Sequence, residues 1–148
     1  MRHRVWMAAL AATLVWAGSS RADLKQALAE PNLEKRSQLA LDNARSAYKA
    51  ARAAYDKGEN DQTAAAIHEI EESVDLAFAS LTKTGKDPRK SPKYFKKAEI
   101  ETRDLMKHLD AFENSMSFAD RAMLEKAKAK VQQAHDDLLV GLMEGKRK

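Results

Sequence analysis

The chain has 148 residues, 26 lysines and arginines against 22 aspartates and glutamates, a formal net charge of +4, and no cysteine. Without cysteine there are no disulfides, no thiolate metal sites and no lipid-anchored leader, so stability has to come from packing alone. Glycine (5) and proline (3) are rare while alanine, leucine, lysine and glutamate abound, which excludes a loop-rich or strand-rich fold and favours long helices.

The first 22 residues read as a cleavable secretory signal. Arg2 and Arg4 supply the positive start, Val5 to Ala17 form an apolar run broken only by Thr13, and Ser20-Arg21-Ala22 places small residues where a signal peptidase needs them. The run is shorter than the roughly 20 residues a membrane span requires, and no later stretch qualifies as a transmembrane span. Cleavage at Ala22 removes Arg2, Arg4 and Arg21, so lysine plus arginine falls from 26 to 23 against 22 acids, and the mature net charge is about +1. A globally basic, nucleic-acid-seeking protein is not what remains. The expected product is periplasmic or secreted, a single domain over residues 23–148.

A first helical stretch is expected over about 23–57, with Asp23 as N-cap and with Pro31 acting as a kink or as the start of a fresh helix at Asn32. Leu41, Ala44, Tyr48, Ala51 and Tyr55 share one face, and Gly58 ends the stretch. A second helix, about 61–84, starts near Asn60 or Asp61 and carries Ile67, Ile70, Val74, Ala77, Phe78 and Leu81. Gly85 and Pro88 stop it. A third, about 92–113, opens at Ser91-Pro92 and buries Ala98, Thr102, Leu105, Leu109, Phe112 and Met116. A fourth, about 118–143, begins near Ser117 with Asp120 completing an approximate capping box. It carries Leu124, Ala127, Val131, Ala134 and Leu138, with Leu142 beyond. Each helix is apolar on one face only, so the predicted fold is all-α: an antiparallel four-helix bundle in up-down-up-down order. The run Ala54-Tyr55-Asp56-Lys57-Gly58, leading into Ala64–Ala66 and Ile67, resembles the turn of a tetratricopeptide-repeat hairpin. The resemblance covers one turn, recurs nowhere, and implies only helical-hairpin packing.

Residues able to carry chemistry are few. His68 precedes Glu69 and stands four before Glu72, His108 follows Asp104 by four, and His135 precedes Asp136 and Asp137. Histidine beside carboxylate can bind metal or move protons. The Glu-x-x-His pairs of di-iron bundles are missing, because Ala65, Leu105 and Gln132 hold the position three before each of these histidines. A haem held between the helices would use His135 in the last helix and a methionine. Met106, Met116, Met123 and Met143 are the ones available after cleavage, none of them in the first helix. No Cys-x-x-Cys-His, Gly-x-Ser-x-Gly or glycine-rich phosphate loop occurs. No cofactor, no metal site and no catalytic residue is expected, with His135 as the candidate if a ligand is carried.

Charge is distributed more unevenly than anything else in the sequence. Asp56 to Asp75 holds seven acids and one lysine, whereas Lys83 to Lys97 holds seven bases and Asp87, with Tyr94 and Phe95 among them. Either the basic stretch neutralises the acidic helix, or it is a solvated face, or it is a surface for an anionic partner. The expected function is therefore that of an exported, non-enzymatic helical bundle acting by protein contact, as an envelope adaptor, chaperone-like binder or structural module. Lys93, Tyr94, Lys96 and Lys97 are the candidate partner-binding residues. Another envelope protein is the expected partner, with an anionic surface or a second copy as further options and nucleic acid disfavoured. The alternative is a periplasmic carrier of a small ligand, haem or metal in the bundle interior.

Overall fold

The computed structural model describes residues 19–145, and these form five helices: α1 (Ser19–Ala29), α2 (Leu33–Asp56), α3 (Asn60–Lys83), α4 (Pro92–Ser115) and α5 (Ala122–Glu144). The fold is an all-α helical bundle, and no strand occurs among the described residues. The apolar run Val5–Ala17 lies outside them. α1 passes without a break through Ala22 and Asp23, so Asp23 sits inside a helix and does not cap one. No helix among the described residues is long and apolar enough to cross a membrane.

Pro31 divides the first helical stretch in two. It lacks the N–H that a continuous helix would need, and Asn32 becomes the N-cap of α2, its side-chain oxygen accepting the Lys35 N–H at 2.9 Å. The joint is braced from both sides. The Glu30 carboxylate accepts the Asn32 N–H at 3.0 Å, and Arg36 Nε donates to the Glu30 carbonyl at 2.8 Å.

α2 ends in a Schellman turn. The Glu59 N–H donates to the Ala54 carbonyl at 3.0 Å and the Gly58 N–H to Tyr55 at 2.9 Å, with Gly58 at φ +73°. The chain leaves this turn already wound, so α3 starts at Asn60, with Glu59 rather than Asn60 or Asp61 in the capping position. Ser91 precedes α4 as expected from Ser91-Pro92, yet its hydroxyl makes no capping bond. The box foreseen at Ser117 and Asp120 does not form either: the Ser117 hydroxyl donates to the Asp120 carboxylate, and α5 begins only at Ala122.

α2 and α3 make the most extensive helix–helix contact of the fold. The reason is in their side chains. Ala40, Ala44, Ala47, Ala51 and Ala54 are all buried along α2, spaced three and four apart, and face Ala66, Ile67, Ile70, Val74 and Ala77 of α3. Methyl-sized side chains let the two backbones approach closely. α4 and α5 form the second hairpin, burying Phe95, Ala98, Leu105, Leu109 and Phe112 against Leu124, Ala127, Val131, Ala134 and Leu138. Each large apolar side chain buried in this way contributes about 1.5–3 kcal/mol.

The two hairpins lie side by side. Gln38 bonds Glu101, Tyr48 stacks on His108 and Tyr55 bonds Asp120, a progression that runs in the same direction along α2 and α4. Glu71 pairs with Lys126 and Asp75 with Lys130, so α3 and α5 likewise run parallel. α3 and α4 scarcely touch, because the link Thr84–Ser91 carries the chain diagonally across one end of the bundle. That end gathers the start of α2, the end of α3, the start of α4 and the end of α5. The opposite end gathers the turns at Gly58 and at Met116–Arg121. α1 packs beside the first end, with Ala27 buried among Leu81, Phe95 and Leu138.

Candidate functional site

The histidines are spread over the molecule. His68 is exposed on α3 and lies 3.7 Å from Glu71 and 3.5 Å from Glu72. His108 is exposed on α4 and stacks on Tyr48 with ring centroids 5.1 Å apart. His135 has its side chain 12 % exposed in the α4–α5 seam, its Nδ1 at 3.7 Å from Glu99 Oε1 and 3.5 Å from the Thr102 hydroxyl. Among the described residues, no group of three or more histidines and carboxylates is placed to hold a metal ion.

A cavity between the helices, lined by Leu41, Val74, Phe78, Thr102 and Leu138 among others, measures about 10 Å³. That is room for one water, whereas ligand chambers run to roughly 300–1,000 Å³. Met116 is buried in the core and Met123 packs against the same cluster, both near the Gly58 end. Met143 is exposed at the other end. Met106 lies on the same α4–α5 seam as His135, and the cavity of about 10 Å³ beside Thr102 and Leu138 is far smaller than a haem. Two larger clefts open onto the surface: one of about 220 Å³ between α4 and α5, beside Met106, Asp110 and Lys128, and one of about 260 Å³ between α2 and α4, beside Arg45, Glu101 and His108.

The ion pairs decide what the charged stretches do. Acids of α3 are met by α5: Lys126 Nζ lies 3.1 Å from Glu71 Oε2, and Lys130 bonds Asp75. Lys128 bridges Asp110 at 2.8 Å and Glu113 at 2.6 Å across the α4–α5 seam, and these two carboxylates hold its ammonium above the ordinary lysine range. Of the basic stretch, Lys86 reaches an acid, Glu34 of α2, at 2.6 Å. Two acids of the acidic stretch, Glu71 and Asp75, are thus met by α5, and no ion pair joins that stretch to residues 83–97 among the described residues.

Lys90, Lys93, Lys96 and Lys97 are all exposed and have no carboxylate partner among the described residues. Lys93 Nζ lies 5.3 Å from the centroid of the Tyr94 ring, which is half-buried, while Phe95 next to it is anchored in the core. Their position is electrostatically unfavourable. The first turn of α4 contains no acid, and the positive end of the helix dipole disfavours Lys93, the cation of that turn. Lys93 also stands three before Lys96 and four before Lys97, both repulsive spacings on a helix. The candidate residues Lys93, Tyr94, Lys96 and Lys97 are thus brought together as one surface, extended by Lys90. His135 lies apart from it, in the seam.

Sequence reasoning missed a polar network inside the α2–α3 interface. Asn43 is buried and donates through Nδ2 to Glu69 Oε1 at 3.0 Å and to Ser73 Oγ at 2.8 Å, while Glu69 is only 5 % exposed. The Asn43 side-chain oxygen has no hydrogen-bond partner. Phe118, 89 % exposed in the α4–α5 turn, was also missed. Its signal was available: it is an aromatic outside every apolar stripe.

No known family's sequence pattern matches the chain, and neither a curated protein nor a solved structure is detectably similar to it. Consistent with this, α2 and α3 at 24 residues each exceed what the roughly 34-residue tetratricopeptide unit can hold.

Proposed function

We propose that this is an exported, non-enzymatic helical bundle that acts by contact, presenting the start of α4 to an acidic surface on another envelope protein. Export rests on the leader pattern of residues 1–22, and alternation of helix direction in up-down-up-down order suits the short turns within each hairpin. One observation carries the contact reading: four exposed lysines, Lys90, Lys93, Lys96 and Lys97, cluster at the start of α4, Lys93 in the first turn where the dipole disfavours a cation, and no carboxylate among the described residues meets them. Surface charges that serve folding find partners, as those of α5 do. Charges held against the dipole and left unpaired are explained by an anion supplied from outside. Tyr94 adds an aromatic body beside the cations, suited to an interface.

Binding to a synthetic polyglutamate peptide and to vesicles rich in phosphatidylglycerol tests the reading. Polyglutamate should be retained at about 50 mM salt and lost by about 500 mM, as screening requires. Replacing Lys93, Lys96 and Lys97 together by glutamate should abolish retention. Salt-insensitive retention, or retention by the triple variant, would sink the proposal. Binding to vesicles without binding to polyglutamate would replace the protein partner by a lipid surface.

A further inference from the structure

Phe118 is the most exposed large apolar side chain of the described residues, and it does not sit on a loose loop. The Tyr55 hydroxyl accepts the Ser117 N–H at 2.9 Å and donates to Asp120 Oδ2 at 3.0 Å, and the Ser117 hydroxyl donates to the same oxygen at 2.6 Å. Both hydrogen bonds hold the Asp120 carboxyl below its ordinary range, Ser117 more strongly than Tyr55. The Tyr55 ring packs edge-on to Phe112, with centroids 5.7 Å apart. The turn is thereby pinned to the end of α2, and its aromatic is presented outward with little ordering left to lose on binding.

The surroundings of Phe118 are acidic. Around the two turns at this end Asp56, Glu59, Asp61 and Glu125 enter no ion pair among the described residues, whereas Glu113 is met by Lys128 and Asp120 by the Ser117 and Tyr55 hydroxyls. At the other end the link and the start of α4 are basic, with seven cations between Lys83 and Lys97 against Asp87 within that stretch and Glu34 of α2, which meets Lys86. A helix of 24 residues separates the ends, about 36 Å at 1.5 Å per residue. Physiological screening acts over about 8 Å, so neither end relieves the other within one molecule. Each end finds its complement on a second copy. The basic end also offers apolar ground for an incoming aromatic, because Leu28 of α1 and Met143 at the end of α5 are 55 % and 69 % exposed.

We propose that copies of this protein associate head to tail, with Phe118 and the acidic turns of one molecule docking on the lysines of α4 in the next. This places a second copy of the chain, and not a different envelope protein, on the basic surface, and it rests on the contact reading above. The two patches differ, so the contact is heterologous and builds an open row, not a closed dimer. The charges steer the approach and fix the orientation, and the aromatic supplies the anchor.

Sedimentation equilibrium on the protein purified from the periplasm tests this. From about 10 μM to about 1 mM at about 50 mM salt, the weight-average mass should rise steadily past a dimer, and it should return to the monomer at about 500 mM salt. Phe118→Ala, on an exposed side chain, should leave the far-ultraviolet circular dichroism unchanged and weaken association about tenfold or more. The triple variant Lys93→Glu, Lys96→Glu, Lys97→Glu should be monomeric as well. An equimolar mixture of these two variants should form a one-to-one heterodimer and nothing larger, because one intact knob and one intact socket remain between them. A monomeric wild type, a dimer of fixed mass, unaltered association of Phe118→Ala, or a mixture that stays monomeric would each overturn the proposal. If the wild type stays monomeric while its lysines still bind polyglutamate, head-to-tail docking fails and the contact reading stands. If polyglutamate binding is absent as well, both fail.

Discussion

Replacing Lys93 by glutamate should make the protein more stable while it impairs binding. Lys93 occupies the second position of α4, where the helix dipole disfavours a cation by about 0.3–1 kcal/mol and favours an anion by a similar amount. The same change converts its repulsive spacings to Lys96 and Lys97 into attractive ones, each worth about 0.2–0.5 kcal/mol in either sense. Against this stands loss of the contact with the Tyr94 ring, about 0.5–1 kcal/mol at an exposed site. The balance is a stabilisation of about 1 kcal/mol at low ionic strength, or a rise of about 3–5 °C in Tm for a domain of this size. Thermal melts followed by circular dichroism at low and high salt would measure it. The gain should shrink as salt screens it, and affinity for polyglutamate should fall in the same variant. A Tm that drops, or a gain indifferent to salt, would refute the reasoning that these lysines are held at a cost to the fold.

Three further outcomes can be measured on purified protein. Leu109→Ala empties a fully buried site at the centre of the core and should cost about 2–5 kcal/mol in denaturant unfolding, and an unchanged midpoint would mean that this face of α4 is not the packed one. Asn43→Ala strands the Glu69 carboxylate and should cost about 1–3 kcal/mol. Adding Glu69→Met removes the stranded charge and should recover at least half of the loss, whereas simple additivity would show that the two side chains do not act together. The Asp120 carboxyl is held below its ordinary value of 3.8 by Ser117 and then Tyr55, so its contribution is complete above that value and fades as pH falls through the lower folded pKa. Asp120→Asn should therefore flatten the dependence of Tm on pH below about pH 4. An unchanged acid limb would show that the pinned turn adds nothing to stability.

Spacing alone made the apolar faces of α4 and α5 legible. Ala98, Leu105, Leu109 and Phe112, and Leu124 to Leu138 at three–four steps, are buried as their periodicity requires. The face of α2 was harder to read. Tyr48 and Tyr55 mark the edge of its core, while Ala40, Ala47 and Ala54 lie at its centre, because alanine is nearly silent in a hydrophobicity pattern yet decisive where backbones come close. Asn43, Glu69 and Ser73 read as surface residues, since the partners that make their burial tolerable are 26 and 30 positions away. The capping roles of Asn60 and Ser117 failed for a related reason: a Schellman turn and the Tyr55 hydroxyl, both supplied by α2, had already fixed those segments. Lysines 93, 96 and 97 stood out in the sequence as charge, but their lack of acids could emerge only after Glu71 and Asp75 were seen to pair with α5.

The distribution of paired and unpaired charge also argues for where function resides. Along its length the bundle is zipped by Lys126 to Glu71, Lys128 to Asp110 and Glu113, and Arg45 to Glu101 at 3.2 Å. Glu71 and Glu101 are largely buried in these pairs, so the cations that meet them offset the cost of burying a carboxylate and discharge the sides of the molecule there. Inside, the cavity lined by Leu41, Val74 and Leu138, beside the alanine-rich packing of α2 on α3, measures only about 10 Å³. Under the contact reading proposed above, recognition falls to the two ends, one basic and crossed by the Thr84–Ser91 link, the other carrying Phe118. Lengthening all four long helices by equal whole turns would keep both ends intact while moving them apart. Binding to polyglutamate should survive that change, because the end itself is the site, whereas a site built along the seams would be displaced with its register.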